Sequence, residues 1–145
     1  MCCPYKLGQF KKAADILYNT LKSMNMLDKV VVGTFNANVT KYLDEKYPDM
    51  PRSASIIEVV KVYFNSLVGL DKKEDAYKFD ALQIPVGLSV INLATARLVN
   101  YAHRHNIAVQ YWTINDTEMM KQLKDIGADC IMSDIPDVAY EVLNA

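Results

Sequence analysis

Ile107-Ala108-Val109-Gln110-Tyr111-Trp112-Thr113-Ile114, then Asn115-Asp116, the segment Thr117 to Ile126, Gly127, and finally Asp129-Cys130-Ile131-Met132: this stretch decides the fold. The first eight residues are β-branched, aromatic and apolar, the composition of a strand. Asn115-Asp116 reads as a loop with a side-chain acceptor for a helix start. The next ten residues form a helix, and Gly127 suits the left-handed residue that ends one. A second short apolar run follows at once. Strand, helix and strand joined by connections of a few residues make a parallel βαβ unit, since parallel strands need a crossover between them.

The same alternation continues outward. Thr95 to His105 carries Ala96, Leu98, Val99 and Ala102 at helical spacing, and Phe79 to Pro85 is a short strand stopped by Pro85. Ser55 caps the run that begins at Ile56. That run is β-branched enough for a strand, but Ile56, Val59, Val60, Phe64 and Leu67 fit one helical face, and it is read as a helix. Met50 to Ala54 is a short strand at best. Lys29 to Thr34 reads as a strand covered on both faces, and Asn36 or Asn38 caps a helix bearing Val39, Leu43 and Tyr47, closed by Pro48. Lys11 to Met24 is an amphipathic helix with Ala13, Ile16, Leu17, Leu21 and Met24 on one side. Asp71 to Asp75 is a charged, solvated connection. Downstream, Ser133 to Asp137 is a turn with a helix start, and Val138 to Leu143 is a final short helix.

The predicted class is therefore α/β with a parallel sheet in one domain spanning residues 1–145, since 145 residues at 51% hydrophobic content suffice for a single core. Ligands in such folds bind at the carboxyl ends of the strands. The unusual polar and aromatic residues fall there: Thr34-Phe35-Asn36, Gln83, Trp112 to Asn115, and Ser133-Asp134.

Sixteen Lys and Arg against seventeen Asp and Glu leave a net charge of -1, with no sequence-wide bias toward nucleic acid or anionic membrane. No apolar run approaches the roughly 18 residues of a membrane span, and Met1 to Phe10 has no secretory apolar region. The compartment stays open. Cys2, Cys3 and Cys130 have neither disulfide-framework nor zinc spacing and are read as reduced thiols. His103 and His105 stand two apart on a helix, diverge by about 200°, and cannot face one metal together, which leaves them surface or capping roles.

Trp112-Thr113-Ile114-Asn115, followed by Gly127-Ala128-Asp129-Cys130-Ile131-Met132-Ser133-Asp134-Ile135-Pro136, resembles the closing signature of glycerophosphodiester phosphodiesterases, Trp-Thr-Val-Asn and then Gly-x-Asp-Gly-Ile-x-Thr-Asp-x-Pro. Ala102-His103 through Val109, Ala81-Leu82-Gln83-Ile84-Pro85 and Val32-Gly33-Thr34-Phe35 are similar to further segments of that family. The likeness runs from about Val30 to Leu143. Asn106 and Cys130 replace glycines, and Ser133 replaces a threonine. The family's His-Arg-Gly, Glu-x-Asp, second histidine and Glu-x-Lys motifs have no counterpart here.

The resemblance implies roughly the C-terminal half of a (β/α)8 TIM barrel, and for the complete enzyme a divalent cation such as Mg or Ca that assists hydrolysis of a glycerophosphodiester to glycerol 3-phosphate and an alcohol. It assigns no catalytic residue, metal ligand or cofactor to this chain. It implies substrate contacts at Trp112, Asn115, Gln83, Phe35 and Asp134, each with a plainer reading beside it. Trp112 walls a ligand or fills the core; Gln83 and Asn115 reach ligand hydroxyls or tie loops together; Phe35 recognises or packs; Asp134 orients a pocket residue or starts a helix. The chain alone is expected to be inactive. A truncated enzyme, half of a split enzyme, and a non-catalytic half-barrel interaction module are the three readings. Either a missing N-terminal half or a homodimer would cover the open sheet.

Overall fold

The computed structural model describes residues 4–70, 77–88 and 90–144. Helix α1, Pro4–Ser23, leads through a 3-10 turn at Leu27–Lys29 to α2, Ala37–Lys46, and α3, Ile56–Val68. Strand β1, Ala81–Ile84, precedes a small antiparallel hairpin of β2, Gly87–Leu88, and β3, Ile91–Asn92. Then come α4, Ala96–Arg104; β4, Ala108–Tyr111; α5, Thr117–Asp125; β5, Cys130–Ile131; and α6, Pro136–Asn144.

Strands β1, β4 and β5 form a parallel sheet in that order, with Ala81 opposite Ala108 and Gln110 opposite Cys130. Two isolated parallel bridges extend it, Ser53 to Ala81 and Val32 to Arg52. The spatial order thus follows the chain order without reversal, as in (β/α) barrels; a doubly wound sheet reverses at a switch point. The segment predicted as a strand over Lys29 to Thr34 is shorter than expected: Lys29 ends the 3-10 turn and only Val32 bridges. β-branched composition favours extension, but a ladder needs a partner backbone, and Pro51-Arg52-Ser53 offers little more than one pairing step.

Local chemistry fixes the helices. Asn36 Oδ1 accepts from Asn38 N at 3.0 Å to cap α2, and α3 starts on a capping box in which Ser55 and Glu58 satisfy each other's backbone. Thr95 and Asp116 cap α4 and α5. After α5, Gly127 at φ +85 donates to Lys124 O while Ala128 donates to Leu123 O, a Schellman ending. Asn106, at φ +56, makes the same left-handed turn after α4.

Gln83 Nε2 donates to Gln110 Oε1 at 3.0 Å, so these side chains share one face of the sheet. The alternating residues Leu82, Ile84, Val109 and Tyr111 are fully buried on the other face against Leu98, Tyr101, Met120 and Leu123. Burying each such side chain is worth about 1.5–3 kcal/mol. Burial raises the pKa of the Tyr111 hydroxyl, which donates to Leu93 O at 2.8 Å. A second, smaller core joins α1 and α2 through Ala14, Tyr18, Leu43 and Met50, with Tyr18 stacked on Tyr47 at 3.9 Å.

The buried face of α3 differs from the expected one. Val59, Val62 and Ser66 point inward, while Ile56, Phe64 and Leu67 are exposed, Phe64 by 55%. A helix apolar on nearly every side gives no periodic signal to choose between faces. Cys130 also departs from its apolar neighbours and is exposed. Cys2, Cys3 and the charged connection at 71–75 lie outside the described residues.

Candidate functional site at the carboxyl edge

The carboxyl ends of the strands carry a recess of about 240 Å³. Phe35 and Trp112 form one wall, with ring centroids 6.0 Å apart and tilted by 52°. Ala54, Val59 and Ile84 lie beneath, and Ile56, Pro85 and Leu88 form the rim. Gln83 supplies the polar side chain of the lining. Trp112 is placed by its backbone N–H, which donates to Ile84 O at 3.1 Å and continues the parallel ladder; the Trp112–Thr113 peptide is cis. Phe35 is 62% exposed where its ring lies beside Trp112.

Gly33 has a specific task here. A Cβ at that position would lie 2.7 Å from Gln83 Oε1. Its absence lets the segment leading to Phe35 approach the Gln83 amide, which is in turn held by Gln110.

Asn115 and Asp134 form a separate cluster. Asn115 Nδ2 donates to Asp134 Oδ2 at 3.0 Å, while its Oδ1 accepts from Ser133 Oγ at 3.0 Å and from Asp134 N at 2.9 Å. Ser133 Oγ also accepts from Ile135 N. The asparagine amide thereby ties the loop after β4 to the loop after β5. Of the five residues singled out from sequence, Phe35, Gln83 and Trp112 share the recess, while Asn115 and Asp134 meet each other beyond its lining.

The histidines are elsewhere. His103 Nε2 lies 2.8 Å from Asp129 Oδ2, which also accepts from Val109 N, so this pair sits where β4 and β5 begin. His105 ends α4 with its ring against Tyr77 and Tyr101. Both occupy the amino edge. Among the described residues, no three His, Cys, Asp or Glu side chains converge as a metal would require, so these residues do not fit the divalent cation that the family resemblance implies.

Sequence reasoning missed the hairpin that brings Leu88 to the rim, because two-residue strands have no measurable periodicity. It also missed Arg52. This guanidinium is 1% exposed and bonds bidentately to Asp44, at 2.7 and 2.9 Å, and to Glu58, at 3.0 and 2.9 Å, joining α2 to α3. The signal was there: an arginine inside a short strand must find carboxylates, and Ser55-x-x-Glu58 placed one nearby.

Comparison with solved structures finds the same fold. A glycerophosphodiester phosphodiesterase from Parabacteroides distasonis ATCC 8503 superposes with a TM-score of 0.61 at 16% identity, over 95% of this chain and 52% of that one. A provisionally assigned glycerophosphoryl diester phosphodiesterase from Silicibacter pomeroyi DSS-3 gives a TM-score of 0.67 at 17% identity, over 93% of this chain and 44% of that one. This chain thus spans about half the length of these structures. No curated protein matches it. The model of the glycerophosphoryl diester phosphodiesterase family matches residues 4–138, which covers nearly all of the parallel sheet and its helices, and on that match the chain belongs to the glycerophosphoryl diester phosphodiesterase family.

Proposed function

We propose that this chain supplies the C-terminal half of a (β/α)8 barrel that hydrolyses glycerophosphodiesters, with the metal ligands and catalytic imidazoles contributed by polypeptide outside it. The supporting observation is the carboxyl edge itself, where Trp112 walls a recess and Asn115 locks the Ser133-Asp134 turn beside it. Phosphodiester hydrolysis needs charge neutralisation at the phosphoryl oxygens and an acid and a base for the entering and leaving oxygens. A divalent cation would supply the first of these in the complete enzyme. This chain's part is to bound the substrate: Trp112 offers a flat apolar face and one N–H donor, and the Asn115 clamp holds the neighbouring loops in register.

The test is reconstitution. The purified chain should release no choline from glycerophosphocholine with Mg2+ or Ca2+, whereas co-expression with an N-terminal half-barrel carrying His-Arg-Gly and Glu-x-Asp should. Chelator-sensitive release by the chain alone, or none by the reconstituted pair when the two halves co-purify, overturns the proposal. A second reading, a non-catalytic association module, draws on the apolar residues that α3 exposes, Ile57, Phe64 and Val68. It predicts a stable complex with no turnover.

A further inference from the structure

The face of the sheet turned away from the helices carries a row of side chains whose hydrogen bonding is incomplete. Gln83 and Gln110 lie on it, and Cys130, opposite Gln110 in the ladder, takes the same side. Gly33 and Ser53 join them, since a Cβ at Gly33 would lie 2.7 Å from Gln83 Oε1 and 3.5 Å from Ser53 Oγ. Ser53 is 3% exposed; its N–H donates to Val32 O and its carbonyl accepts from Arg52 Nη1, but among the described residues its hydroxyl has no partner. Gln83 Nε2 donates to Gln110 Oε1, which leaves Gln83 Oε1 and Gln110 Nε2 unanswered among the same residues. A buried hydroxyl without a partner is costly, and a surface that supplies one is favoured.

Three observations bear on what covers this row. It has no Asp, Glu, Lys or Arg, and its hydroxyl and primary amides each donate and accept, so the row is complementary to a copy of itself and sets no like charges together. The sheet has two different open edges, Val32 on one side and β5 on the other. The chain also spans about half the length of solved structures of its fold, so two copies bring the polypeptide of one. We propose that two copies of this chain close on each other about a twofold axis parallel to the strands, with β5 of each beside the Val32 edge of the other and the two rows facing across the axis. Such an axis keeps every strand parallel, as in a (β/α) barrel. Gln110 then faces its counterpart in the second copy, and amides of that copy complete the Ser53 hydroxyl and the Gln83 carbonyl. The pairing does not rest on the phosphodiesterase reading; it describes this face when no N-terminal half-barrel occupies it.

Analytical ultracentrifugation at micromolar concentration should find a species of twice the 16.4 kDa of the chain and nothing larger. Gln110→Glu and Gln110→Lys each place like charges opposite one another across the axis. Each variant alone should sediment as a monomer with unchanged far-ultraviolet circular dichroism, and the two mixed in equal amounts should form a dimer again. Ser53→Ala removes a hydroxyl that has no partner within one copy, so the urea midpoint of the dilute, dissociated chain should be unchanged or raised. Its dimer should nevertheless be about tenfold weaker, because two symmetry-related bonds are lost. That variant decides the matter should either charged one fail to fold. A monomer, an open-ended series of masses, a dimer indifferent to charge at position 110, charged variants that stay monomeric on mixing, or a Ser53→Ala dimer as tight as the parent would overturn the proposal.

Discussion

Arg52 shows how one charge is tolerated inside this protein. Burial alone would lower the pKa of its guanidinium, but hydrogen bonds with Asp44 and Glu58 outweigh that and raise it. Burial likewise pushes Glu58 upward, and bonds from Arg52 and Ser55 overcome it, leaving its pKa below the ordinary value of 4.5. Replacing Arg52 by Met would leave two carboxylates facing each other across α2 and α3. We expect a loss of about 3 kcal/mol, read from urea unfolding, moderated because both carboxylates retain some access to water. The pH dependence has a defined sign. A carboxyl whose pKa is lower folded than unfolded contributes fully above its unfolded value and loses that contribution as pH falls through the folded one. For Glu58 the loss begins below about 4.5. For Asp15, held down to about 2 chiefly by Lys46 and then by Tyr42 and Tyr47, it begins below 3.8; this exposed group's share should shrink in high salt. Thermal melts should therefore be flat above pH 5 and fall in acid, less steeply in Glu58→Gln. An equal acid slope in that variant would remove Glu58 from the account.

At the scale of elements, the left-handed endings carry measurable weight. A Cβ at Gly127 would meet Val99 Cγ1 at 3.7 Å and His103 Cε1 at 4.0 Å, ordinary contacts, so the cost of Gly127→Ala is conformational, about 1 kcal/mol. Asn106→Gly, at the equivalent turn after α4, should instead raise stability by about 0.5 kcal/mol. Paired thermal melts should show opposite shifts, and two shifts of the same sign would refute this account. These endings were legible because caps and left-handed glycines are local chemistry: Asp116 and Gly127 act within a few residues of themselves. The Val32 strand and the inward face of α3 were not, because each depends on what the distant chain presents, a single pairing step in one case and a choice among several apolar faces in the other. The site divides along the same line. That Trp112 and Asn115 belong to one strand end is written in one short stretch, but Trp112 meets Phe35, and Asn115 meets Asp134 across 19 positions, only through the folding of the parallel sheet.

Across the whole molecule, the sheet ends at Val32 on one side and at β5 on the other, and among the described residues neither edge has a further strand beside it. Unpaired backbone donors and acceptors next to apolar side chains favour association. Light scattering coupled to size exclusion at micromolar concentration should give a mass above the 16.4 kDa of the chain, whereas a monodisperse monomer with a cooperative melt would refute the expectation. The two cores lead to a further expectation. Ala14, Tyr18, Leu43 and Met50 hold α1 to α2 separately from the main cluster, and the Arg52 bonds to Asp44 and Glu58 span the gap between α2 and α3. Such a partition divides the molecule into two cooperative units of unequal size. Amide protons of α1 and α2 should then exchange with solvent through an opening that leaves β1, β4 and α4 protected, and severing the Arg52 bonds should speed the first set far more than the second.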